Sequence, residues 1–94
     1  MSVRYTARAL AQLAEIFDYI AHENPRAAQE VQAKIRASIE NLGRFPFAGH
    51  TTDKPGVRVF TVVRYPYRIF YSVYRDNDVV ILRILHGARD QSRL

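Results

Sequence analysis

Residues 67–86, YRIFYSVYRDNDVVILRILH, hold two runs rich in Val, Ile, Tyr and Phe on either side of Asp76-Asn77. Such runs favour strands. Asp and Asn tolerate the left-handed backbone that a tight turn needs. Tyr67–Arg75 and Val79–His86 are therefore predicted as an antiparallel hairpin. If Arg75 pairs with Asp78, Val73 faces Val80, Tyr71 faces Leu82, Ile69 faces Ile84 and Tyr67 faces His86. That set is almost wholly apolar and is expected to pack on the rest of the fold. The other face carries Arg68, Phe70, Ser72 and Tyr74 against Leu85, Arg83, Ile81 and Val79. A slip of one residue would exchange the faces, so the assignment depends on the turn.

Upstream, Val57–Val63 reads as a third strand, separated from the hairpin by Arg64-Tyr65-Pro66. Residues 48–56 read as a loop. Before them the apolar period becomes helical. Thr6 is placed to cap a helix from Ala7 to Ala21, with Leu10, Leu13, Ile16 or Phe17, and Ile20 on one face. Asn24-Pro25 restarts the chain as an N-cap followed by proline at the first helical position. The second helix is predicted from Pro25 to about Leu42, with the stripe Ala28, Val31, Ile35, Ile39 and Leu42. Gly43 is expected to end it. A short strand, Ser2 to Tyr5, precedes both helices. The order β-α-α-β-β-β predicts an α+β fold, a mainly antiparallel sheet with the N-terminal helical hairpin packed on one face. Residues 1–94 read as a single domain.

The chain carries 14 Lys and Arg against 9 Asp and Glu, a formal net charge of +5, with 48% hydrophobic residues. Twelve of the basic residues are Arg, and the half from residue 48 onward has eight basic side chains against four acidic ones. Arg forks suit phosphate and carboxylate, so a nucleic acid or an acidic protein partner is implied; a solvated surface of Arg stems is the simpler alternative. The absence of cysteine excludes disulfide scaffolds, thiolate zinc sites and cysteine nucleophiles. A leader or a membrane span is not expected, because Arg4 interrupts the start and no apolar run is long enough. A cytoplasmic location is expected.

Arg68 and Arg83 are predicted as diagonal neighbours on the open sheet face beside Phe70, a candidate grip for phosphate or carboxylate. His86, at the end of the last strand, is either a general acid or base or a structural partner of Tyr67. His22 and His50 lack partners at metal-ligand spacing, and no zinc or calcium motif is present. There is no glycine-rich phosphate loop or nucleophile elbow. Neither a metal nor a cofactor is expected.

The whole order, with Leu42-Gly43-Arg44-Phe45-Pro46-Phe47-Ala48-Gly49, Val57-Arg58-Val59-Phe60, Tyr67-Arg68-Ile69-Phe70-Tyr71-Ser72-Val73 and the ending from Val80 to Asp90, resembles the RelE/ParE toxin superfamily. Pro66 before Tyr67 and the His86-Gly87-Ala88-Arg89 ending are closer to the ParE branch. The resemblance implies the toxin of a type II toxin–antitoxin pair, neutralised by an acidic ParD-like antitoxin in a hetero-oligomer. A ParE-like member inhibits DNA gyrase by binding, and its contact surface here would be Arg58, Arg64, Arg68, Arg83, His86 and Arg89. A RelE-like member cuts messenger RNA on the ribosome, and would here use Arg58, Arg68 and His86. Phe60 and Thr61 stand where RelE-type enzymes carry paired lysines. The tail Gln91-Ser92-Arg93-Leu94 lacks their tyrosine.

Overall fold

The computed structural model describes residues 2–87. Its elements are β1 (Val3–Tyr5), α1 (Ala7–Ala21), α2 (Pro25–Arg44), β2 (His50–Thr51), β3 (Arg58–Thr61), β4 (Tyr67–Val73) and β5 (Val79–His86). The sheet order is β1-β5-β4-β3-β2, with β1 parallel to β5 and the other pairs antiparallel. The two-residue β2, paired with β3, is an addition to the expected pattern. The α+β architecture is the one expected.

Both helices start where their caps require. The Thr6 hydroxyl accepts from Ala9 N at 3.0 Å and the Asn24 side chain accepts from Ala27 N at 3.0 Å, each satisfying an amide that has no partner within its helix. The stripe of α2 is buried as expected: Ala28, Val31, Ile35, Ile39 and Leu42. In α1 the buried residues are Ala9, Leu13 and Ile16, whereas Leu10 is 54% exposed. Leu10 lies one residue, about 100°, round the helix from Ala9, outside the buried stripe. Gly43 does not end α2, which continues to Arg44. A Cβ there would stand 2.9 Å from Val3 Cγ2, so this glycine allows β1 to lie close against the helix.

The β4–β5 register departs from expectation in its inner half. The turn residues Asp76 and Asn77 both have positive φ, at 59° and 61°. Tyr74 N donates to Asp78 O at 2.8 Å, leaving Arg75, Asp76 and Asn77 as a three-residue loop. Val73 consequently pairs with Val79, Ser72 with Val80 and Tyr71 with Ile81. A register shift follows between Phe70 and Tyr71: Phe70 pairs with Arg83, and Leu82 has no partner on β4. Val79 and Ile81, expected on the open face, are buried in the core with Tyr67, Ile69, Tyr71 and Ile84. Val80 and Leu82, expected to face the core, are only half-buried. The alternation is thus broken once, at a β-bulge.

Tyr71 lies on the helix side of the sheet and is fully buried. Its hydroxyl donates to Pro46 O at 2.8 Å and accepts from Gly49 N at 2.9 Å, tying the segment after α2 to the sheet. Replacing it with phenylalanine would strand two buried backbone groups. Urea unfolding of Tyr71→Phe is expected to show a loss of about 1–3 kcal/mol; an unchanged midpoint would mean that this tie contributes nothing.

Candidate functional site

On the sheet face away from the helices, Arg68 and Arg83 line one concavity of about 620 Å³ together with Arg8, Thr52, Asp53, Lys54, Val57, Val59, Phe70 and Leu82. Its construction follows from strand parity. Ile69 and Tyr71 point into the core, so Arg68 and Phe70 point out. On β5 the bulge sets Leu82 and Arg83 side by side on the outer face, between the buried Ile81 and Ile84. The Arg83 guanidinium lies 5.6 Å from the centroid of Phe70, its partner across the strands, within cation–π range. Arg68 pairs with Leu85. Its Nε would be 3.6 Å from a Cβ at Gly87.

The edge of β5 is held by the start of α1. Thr6 N donates to Ile81 O at 3.0 Å, and the Thr6 hydroxyl donates to Leu82 O at 2.9 Å. Ile84 N donates to the Gln12 side-chain oxygen at 2.8 Å. The cap of α1 is thereby also the support of the bulge, and Arg8 follows it two residues later. Arg8 and Lys54 were not among the sequence candidates. One opens a helix and the other sits in the loop before β3, and no local pattern indicates that the fold brings either to Arg68.

The remaining sequence candidates are placed elsewhere. Arg58 pairs with Tyr71 and points toward the helix side. Its Nη2 donates to Gly49 O at 2.8 Å and to Phe47 O at 3.3 Å, and its guanidinium lies 5.2 Å from the Phe47 ring centroid. Arg58 Nε is buried with no hydrogen-bond partner. These contacts secure the loop after α2. His86 pairs with Tyr67, and their rings meet edge to face at 5.2 Å. It borders a groove between α1 and β5 lined also by Gln12, Glu15, Ile16 and Tyr19, and its Nδ1 is buried without a hydrogen-bond partner. Arg64 is exposed in the β3–β4 connection with φ 75°. Arg89 lies outside the described residues. The structure therefore unites Arg68 with Arg83 and separates both from Arg58 and His86. The β4 partners of Arg58 and His86, Tyr71 and Tyr67, are four residues or about 14 Å apart along the strand.

Among the described residues no cluster of three His, Cys, Asp or Glu could hold a metal, and no helix is long and apolar enough to cross a membrane. Burial raises the Tyr5 hydroxyl above the ordinary phenol range; Arg36 opposes this and Glu40 adds to it. Tyr5 pairs with the buried Ile81 and packs on the core, on the side away from the concavity.

The fold and the sequence are shared with known proteins. The family model described as ParE toxin of type II toxin-antitoxin system, parDE, matches residues 3–91. The Sinorhizobium fredii (strain NGR234) protein Y4kP is 36% identical over 85 residues, covering 90% of this chain and 86% of that one. Toxin RelE2 of Caulobacter vibrioides is 39% identical over 87 residues, covering 93% and 96%. The solved chromosomal ParDE toxin–antitoxin system from P. aeruginosa contains a chain that superposes with a TM-score of 0.80 at 29% identity, covering 92% of this chain and 95% of that one.

The two groups of arginine should separate in stability measurements. Arg58→Ala is expected to cost about 1–2 kcal/mol through loss of charged hydrogen bonds to two carbonyls. Arg68→Ala and Arg83→Ala should each change stability by less than about 1 kcal/mol. Thermal melts of the three variants check this, and equal losses would contradict the placement.

Proposed function

Because this chain belongs to the ParE toxin family of type II toxin–antitoxin systems, we propose that it acts in the cytoplasm as a ParE-like inhibitor of DNA gyrase. It works by binding, without a cofactor, and is neutralised by a cognate acidic ParD-like antitoxin. The observation that carries this reading is the open-face concavity. Its described lining offers four cations, Arg8, Lys54, Arg68 and Arg83, but neither an imidazole nor a phenol. Cleavage of RNA needs a group within hydrogen-bond reach of the 2′-hydroxyl or the leaving oxygen to move a proton. The groups in that lining able to move a proton are the Asp53 carboxyl and the Lys54 amine, and both residues are exposed. Groups suited to holding an anion are thus concentrated where groups suited to proton transfer are scarce. The similarity to the P. aeruginosa ParDE chain supports the same branch and an antitoxin partner.

A second reading is supported by the likeness to Caulobacter RelE2: a ribosome-dependent messenger RNA endoribonuclease. It would draw on Arg58, Arg68 and His86, three side chains that the fold distributes over two faces of the sheet.

Titration of the folded protein into a gyrase supercoiling reaction distinguishes the two. The gyrase reading expects supercoiling to stop, with cleaved DNA accumulating. Arg68→Ala/Arg83→Ala should need about tenfold more protein, the equivalent of roughly 1.4 kcal/mol of lost contact. Normal supercoiling together with cut transcripts after induction would transfer the assignment to the ribosome and messenger RNA.

A further inference from the structure

The concavity on the open face holds more positive charge than the fold uses. Among the described residues, the charged heads of Arg8, Lys54, Arg68 and Arg83 make no hydrogen bond and no ion pair; Arg83 has its stacking contact with Phe70. These four cations come from separate elements: the first turn of α1, the loop before β3, β4 and β5. They surround a shallow floor of half-buried Val57, Val59, Phe70 and Leu82. The lining also holds one carboxylate, Asp53, so four cations against one anion leave an excess of positive charge. Like charges repel one another, and a polyanion is the ligand that relieves the repulsion.

Two observations narrow the polyanion. The large exposed apolar side chains, Leu10, Tyr19, Phe45, Phe47, Val63 and Tyr74, all lie outside the lining of this concavity. A protein segment takes most of its binding energy from anchors in apolar pockets, and such anchoring surface is elsewhere on the molecule. Recognition of single-stranded nucleic acid relies on bases stacked on open aromatic rings. The aromatic ring in this concavity, Phe70, already has Arg83 beside it. What remains is a set of separated cations suited to contacting phosphates without reading bases.

We propose that the open face, through Arg8, Lys54, Arg68 and Arg83, binds the phosphate backbone of duplex DNA. The choice of DNA rests on the gyrase reading, in which the protein meets an enzyme already holding a duplex. On this assignment the chain touches the nucleic acid itself as well as the enzyme.

The test is fluorescence anisotropy of a labelled duplex of about 20 base pairs, without gyrase, over a series of salt concentrations. Four phosphate contacts predict a slope of log K against log salt of about −3.6. Arg68→Ala/Arg83→Ala, with folding confirmed by circular dichroism, should reduce the slope by about 2. An unchanged slope in that variant, or no binding by the folded wild type, overturns the proposal. Tighter binding of the single strand or of RNA would also overturn it, as would displacement by polyglutamate at equal charge, which would indicate an acidic protein as the ligand. Because the assay contains no gyrase, its failure leaves the supercoiling result standing, and an inactive supercoiling titration leaves the DNA measurement standing.

Discussion

A single extra residue in β5 governs the relation between core and surface. Strict alternation from the buried Val79 and Ile81 would turn residue 83 inward, and residue 83 is an arginine. Burying an unpaired guanidinium costs several kcal/mol. Leaving one residue out of the ladder forfeits a net hydrogen bond of about 1 kcal/mol, and the bulged Leu82 recovers part of that through its carbonyl and the Thr6 hydroxyl. The comparison favours the bulge by a wide margin. Its consequence is that Ile84 returns to the core while Arg83 stands outside against Phe70. Thr6 joins this device to the helices, since the same hydroxyl accepts from Ala9 N and starts α1.

The sheet consequently assigns different work to its arginines. Arg58 points toward the helix side and is engaged with the carbonyls of Phe47 and Gly49, next to the Tyr71 hydroxyl that holds Pro46 and Gly49. Together they brace the segment that leaves α2. Arg68 and Arg83 make no comparable bonds among the described residues and are directed into the concavity. Residue type alone does not separate the two uses. Position in the pleat does.

Much of this was legible in the sequence. Thr6, Asn24 and Pro25 announced the helix starts because capping is a local interaction. Gly43 was misleading because the reason for it, the approach of Val3, is tertiary. The hairpin illustrates a subtler case. The expected two-residue turn became a three-residue loop, which shifted the pairing by one, and the bulge at Leu82 shifted it back. The two irregularities cancel, so the far half pairs as the sequence pattern predicts, with Phe70 opposite Arg83 and Ile69 opposite Ile84, while Val79 to Leu82 lie on the faces opposite to those the pattern predicts. Arg8 and Lys54 were illegible for another reason, since their neighbourhood exists only once α1 and the loop before β3 have packed beside β4 and β5.

The contents of the open face bear on the choice between holding and cutting. An electrostatic grip holds a bound phosphate, and where negative charge grows in a transition state the same cations also lower the barrier, so the arginines alone do not separate holding from cutting. Acceleration of RNA cleavage requires proton transfer at the reacting oxygens, from a group within about 3 Å. His86 could supply such chemistry, but it is paired with Tyr67 and borders the groove beside α1, whereas Arg68 and Arg83 line the concavity on the other face. A phosphate held between those arginines has the sheet itself between it and the imidazole. For the described part of the chain, the same parity that frees Arg83 to meet an anion places His86 on the other face of the sheet.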